Sequence, residues 1–100
     1  LDMVRRAVEG DPDNAAYRDS LGSALYRLGR IPEAVQVLEK AAAGDDPDGV
    51  ILDHLGDAYL RAGRRADAVA AWQRAVKAFA KEGDHAKQQV TQQKIETCEK

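Results

Sequence analysis

One hundred residues make one small domain, and 15 Lys and Arg against 17 Asp and Glu leave a net charge of −2. That balance gives no electrostatic footprint for nucleic acid, and no apolar run approaches the ~18 residues that span a membrane. A single cysteine excludes an internal disulfide.

Aromatic residues are scarce, at 5%, and alanine and leucine abound beside charged residues. Such a composition favours helix throughout. Leu1, Val4, Ala7 and Val8 are spaced for one face of a helix over 1–9. Gly10-Asp11-Pro12-Asp13 stops it, because proline cannot continue a helix. The next helix is expected from Asn14 to Leu28, burying Tyr17, Leu21, Ala24, Leu25 and Leu28. Gly29 then permits a left-handed turn. A helix from Ile31 to about Ala43 follows, with Pro32 in its first turn, where no amide donor is lost. Its inward residues are Ala34, Val37, Leu38 and Ala41, and Ala34 is expected to answer Gly22 across the hairpin.

Gly44-Asp45-Asp46-Pro47-Asp48 is the next break. Helices over Gly49 to Ala62 and Arg64 to about Lys81 repeat the hairpin, with Trp72 and Phe79 supplying bulk. Gly83-Asp84 ends it, and Asp84 is expected to cap a last helix reaching about Glu99. That helix has a thin apolar set of Ala86, Val90, Ile95 and Cys98. Cys98 reads as a half-buried helix residue; the competing role is a thiol that dimerises on oxidation.

The two hairpins superimpose at one offset. Leu52 to Ala75 falls on Arg18 to Ala41, with Gly56 on Gly22, Gly63 on Gly29 and Ala68 on Ala34, each 34 residues apart. A fixed period of this length is the mark of a repeat protein. In the second copy Leu52, Leu55-Gly56 and Tyr59, then Ala68, Trp72 and Ala75, resemble the tetratricopeptide repeat. The first copy matches less well, with Arg18, Leu25 and Leu38 at three of those places.

The resemblance implies an all-α, right-handed solenoid of antiparallel hairpins. Residues 1–9 would be the second helix of a truncated repeat, 15–48 and 49–82 two full repeats, and 84–99 a polar capping helix. It also implies a bacterial-type protein–protein interaction scaffold that binds a peptide or protein segment, with the first helix of each hairpin lining a concave groove. The competing role is a purely structural segment of a longer array. Facing that groove would be Asp19, Ser23, Tyr26 and Arg27, then Asp53, Asp57, Leu60 and Arg61. The wall reads as an acidic strip with Tyr26 and Leu60 as anchors, suited to a basic or mixed peptide. Asp57 and Arg61 stand four apart, so their alternative role is to support their own helix by a few tenths of a kcal/mol. Family members that clamp acidic tails carry Lys, Arg and Asn here, so such a tail is not the expected ligand.

Chemistry beyond binding finds no residues to stand on. His54 and His85 lack the convergent company of a metal site. No Ser-His-Asp order, phosphate loop or carboxylate pair in a cleft is visible. No enzyme activity, cofactor or metal is therefore expected, and folding should be indifferent to a chelator. The partner should be a protein, with no nucleic acid and no membrane insertion. Self-association through Leu1, Val4 and Val8 is a further expectation. No leader peptide is visible, so cytoplasm and periplasm both remain open.

Overall fold

The computed structural model describes residues 15–44 and 47–99. Five helices account for almost all of them: α1 Ala15–Arg27, α2 Ile31–Ala41, α3 Gly49–Arg61, α4 Arg65–Glu82 and α5 His85–Glu99. There is no strand among the described residues. The expected helix over 1–9, and the self-association surface drawn from it, lie outside them.

Three turns close in the same way. Gly29, Gly63 and Gly83 take φ of 80°, 79° and 78°, a conformation that costs a residue with a Cβ. The residue after each glycine donates its amide five residues back: Arg30 to Leu25, Arg64 to Tyr59 and Asp84 to Phe79, all at 2.9 Å. These bonds satisfy carbonyls that the helix ends would leave orphaned. The starts of α3 and α5 are also built alike. Asp48 Oδ1 accepts from the Ile51 amide at 2.9 Å, and Asp84 Oδ1 accepts from the Lys87 amide at 3.1 Å.

Helix α1 packs on α2, α3 on α4 and α4 on α5, while α2 and α3 join one hairpin to the next. The main core gathers Leu38, Ile51, Leu52, Leu55, Ala75 and Phe79 between the hairpins. Trp72 and Ile95 form a second cluster beneath α5.

Several residue-level expectations change. Tyr17 and Leu28 are 43% and 61% exposed rather than buried. Leu28 stands past the last turn of α1, where the chain is already reversing at Gly29. Val35, at 4% exposure, is the buried valine of α2, and Val37 is only half-buried. The partner of Gly22 is Leu38, not Ala34: a Cβ on Gly22 would stand 2.5 Å from Leu38 Cγ. In the second hairpin a Cβ on Gly56 would stand 2.3 Å from the Trp72 indole, and one on Gly49 2.3 Å from the Phe79 ring.

Helix α5 departs from the expected register. Its buried residues are Thr91 and Ile95, while Val90 is 55% exposed and Ala86 is exposed as well. The reason is the length of α4, 18 residues against 11 in α2. From cap Asp48 to cap Asp84 is 36 residues, two more than the repeat period. Thr91 therefore falls where Leu55 stands in α3, and Ile95 where Tyr59 stands. The residue equivalent to Gly56 becomes Gln92, which is exposed.

Candidate functional site

The period that builds the helices also builds a wall. Asp19 and Asp53, Ser23 and Asp57, Tyr26 and Leu60, and Arg27 and Arg61 are successive pairs 34 residues apart on α1 and α3. All eight are half-buried or exposed, so the packed faces of both helices point elsewhere.

His54 joins the two helices across this wall. Its Nδ1 lies 2.8 Å from Asp19 Oδ1 and 3.2 Å from Ser23 Oγ. The Asp19 hydrogen bond holds the imidazole above its ordinary pKa; partial burial opposes this, and the charges of Asp19, Asp53 and Asp57 reinforce it. Serine and aspartate approach the same ring nitrogen. A general base in a hydrolytic triad uses one nitrogen for the serine and the other for the carboxylate. This arrangement positions a ring rather than relaying a proton.

The two carboxylates of α3 are engaged from α5. Lys94 Nζ lies 3.0 Å from Asp53 Oδ1 and 3.1 Å from Asp57 Oδ1, and 5.9 Å from the Trp72 ring centre. Burial and the neighbouring Asp53 push the Asp57 carboxyl up, and the ammonium pulls it back only in part. Burial works against the Lys94 ammonium too, but the Asp53 hydrogen bond and the charges of both aspartates outweigh it, so its pKa is raised. Burial, together with two carboxylates sharing one cation, explains both directions. The acidic strip is thus internally compensated rather than open to a basic ligand. Asp57 turns to Lys94 instead of supporting Arg61, and the Arg61 guanidinium lies over the Tyr26 ring at 5.5 Å.

The wall is not flat. Ser23, Tyr26, Arg27, His54 and Asp57 enclose a cavity of about 180 Å³. A larger, more open hollow of about 550 Å³ lies between α3, α4 and α5, with Leu60, Trp72, Val90 and Cys98 among its lining. Among the described residues no three His, Cys, Asp or Glu side chains are grouped to hold a metal. No described helix is long and apolar enough to cross a membrane.

The sequence matches the family described as BTAD, bacterial transcriptional activator domain, over residues 1–96. The chain belongs to the bacterial transcriptional activator domain family. Among solved structures, the crystal structure of MamA superimposes on this activator domain with a TM-score of 0.68 at 20% sequence identity. The superposition covers 95% of this chain and 64% of the MamA chain. That likeness gives the fold, which is helical and TPR-like. A search among curated proteins finds no match.

In this activator domain, seven of the eight residues expected on the groove enter a contact or cavity of the wall: Asp19, Ser23, Tyr26, Arg27, Asp53, Asp57 and Arg61. Leu60 belongs to the larger hollow, and Arg61 joins through its stack on Tyr26. Two participants were missed. In the sequence His54 has no metal-site company, and its partners Asp19 and Ser23 stand 35 and 31 residues away on α1. Lys94 carries no signal that sets it apart, since it and Lys87 flank the glutamine-rich stretch of α5 alike.

Proposed function

We propose that this chain is a protein-interaction module of a bacterial transcriptional regulator. In this reading its hairpins form a right-handed, superhelically stacked scaffold, and a peptide or protein segment of the partner lies along the wall of α1 and α3. Membership of the activator-domain family supports a regulatory setting, and the TPR-like fold supports a protein partner. The observation that carries the reading is the cavity of about 180 Å³ in that wall, rimmed by Tyr26 and Arg27. Aromatic and arginine side chains are the ones that most often anchor interfaces. The role is binding rather than catalysis, in keeping with an imidazole whose serine and aspartate partners share one nitrogen.

The test is site-specific photocrosslinking in cells that carry the intact regulator. A photoreactive residue replaces Ser23 or Leu60 on the wall, and Gln36 or Lys77 on the second helices as controls. Protein adducts from the wall positions alone are expected. Adducts only from Gln36 or Lys77 would move the interface to the opposite face. Adducts from none of them would leave the chain as a structural segment between other parts of the regulator.

A further inference from the structure

The charges on the wall do not balance where the sequence alone would place them. Asp53 and Asp57 are held by Lys94, and Asp19 by His54. Arg27 is exposed, lines the cavity, and has no carboxylate partner among the described residues. Arg61 stacks on Tyr26, at the same end. With the imidazole protonated, this region sets four cations, Arg27, Arg61, His54 and Lys94, against three carboxylates, Asp19, Asp53 and Asp57. Arg27, a cation without a carboxylate partner among the described residues, lines the cavity beside Asp57, which Lys94 engages from α5.

We infer that the cavity lined by Ser23, Tyr26, Arg27, His54 and Asp57, the last already engaged by Lys94, is a seat for a single aspartate or glutamate side chain of the partner segment, an inference that rests on the wall being the interface. Three kinds of group converge on it. The Arg27 guanidinium offers a planar fork of donors suited to a carboxylate. The His54 ring spends Nδ1 on Asp19 and Ser23, which leaves Nε2 as its remaining donor. The Tyr26 ring forms an apolar side wall, itself covered by Arg61. The volume, about 180 Å³, suits one side chain rather than a folded element. A polyanion such as a nucleic-acid strand fits less well, because Asp19, Asp53 and Asp57 line the same wall and would repel its further phosphates.

The seat depends on protonation. The Asp19 hydrogen bond at Nδ1 favours the charged ring, with Asp53 and Asp57 contributing from α3. Lys94 on α5 and Arg27 on α1 act against that charge, with Arg61 beyond Tyr26. A rise in pH that discharges the ring removes one of the two positive groups that bound the seat, so an acidic ligand should be released.

The experiment uses the isotopically labelled chain and two blocked hexapeptides, one alternating Glu and Gly, the other Lys and Gly. Chemical shifts are followed at about pH 6 and about pH 8, on either side of an ordinary histidine. The Glu peptide is expected to shift Ser23, Tyr26, Arg27 and His54 and to bind about fivefold tighter at the lower pH, the upper range for one solvent-facing pair. Arg27→Gln should weaken it at both pH values. His54→Gln should leave weak binding that no longer responds to pH, with helical circular dichroism unchanged. A Lys peptide that shifts these residues more strongly would overturn the inference and leave the wall as the interface. Glu-peptide binding that is insensitive to pH, or that maps to the α4 lysines, would also overturn it. No shift on the wall from either peptide would sink the seat, and the crosslinking pattern separately decides the wall.

Discussion

The two hairpins share a backbone period and solve their packing differently. In the first, the close approach at Gly22 is filled by Leu38, an aliphatic side chain with rotamers to choose from. In the second, Gly56 is filled by the Trp72 indole and Gly49 by the Phe79 ring. Both rings are almost fully buried, and Trp72 Nε1 also donates to the Asp53 carbonyl at 3.3 Å. The second hairpin, moreover, is packed on both sides, by α2 and by α5. Equal spacing of glycines therefore does not mean equal cohesion. The glycine fixes how near two helices can come, and the opposite side chain decides how much surface that approach buries.

The sharpest way to break the second hairpin is Trp72→Ala. The side chain is 2% exposed, so its removal forfeits both transfer energy and packing. A loss of roughly 3–5 kcal/mol is expected, against the 5–15 kcal/mol that ordinary domains possess. Urea denaturation followed by circular dichroism measures it. A loss under about 1 kcal/mol would mean that the indole is not the centre of that hairpin.

The glycines test the comparison directly. Gly→Ala within a helix gains about 1 kcal/mol of propensity, and an intruding methyl costs about 1–3 kcal/mol where the neighbour cannot yield. The indole at Gly56 is rigid and held by a hydrogen bond, so Gly56→Ala should destabilise by about 2 kcal/mol. Leu38 can turn, so Gly22→Ala should cost less than about 1 kcal/mol. Equal costs, or the reverse order, would remove the distinction drawn between the hairpins.

These pairs also show what could be read beforehand. The period, the turns at Gly29 and Gly63 and the cap at Asp84 are local features, and the helices begin and end within about two residues of expectation. The eight residues expected on a groove come from the same period, and all of them are half-buried or exposed on α1 and α3. Which residue opposes each glycine was not readable, because Ala34 and Leu38 lie on the same face of α2 and only the crossing of the helices chooses between them. The engagement of Asp53 and Asp57 was hidden for a different reason. Lys94 is 41 and 37 residues away from them, across the one place where the spacing grows by two residues. A strict period sets α5 in the wrong rotation and turns attention to Val90.

Lys94 ties α5 to the second hairpin, so the next change down in size is Lys94→Met. It leaves Asp53 and Asp57 facing each other without a cation. The side chains are about a quarter exposed, at 31%, 21% and 29%, so solvent screens part of the effect. A loss of about 1 kcal/mol is expected. A cycle with Asp57→Asn isolates the pair, and the coupling should be largest at neutral pH. Asp57 has a raised pKa, so acidification protonates it early in the folded state, relieves the repulsion and shrinks the penalty. A penalty that grows on acidification would show that Lys94 acts through packing on Trp72 instead.

The smallest effect belongs to the link between α1 and α3, the pair of hairpins at their point of contact on the wall. The folded pKa of His54 lies above the ordinary value of 6.5, because of its Asp19 hydrogen bond. A group raised on folding contributes its full stability below the unfolded pKa, and loses it as pH climbs through the folded one. The Asp19 link should therefore be complete below about pH 6.5 and fade above it. Asp57 titrates in a separate, more acidic window, so the two do not mask each other. The His54 side chain is 37% exposed, and screening limits the contribution to a few tenths of a kcal/mol. Denaturation midpoints should drift down between about pH 6 and pH 8 relative to Asp19→Asn, in which the drift is absent. The ring protons of His54, followed by NMR, should titrate above the ordinary histidine value of 6.5. If His54 titrates at or below 6.5, the imidazole is not held by Asp19, and the two hairpins meet on this wall through packing alone.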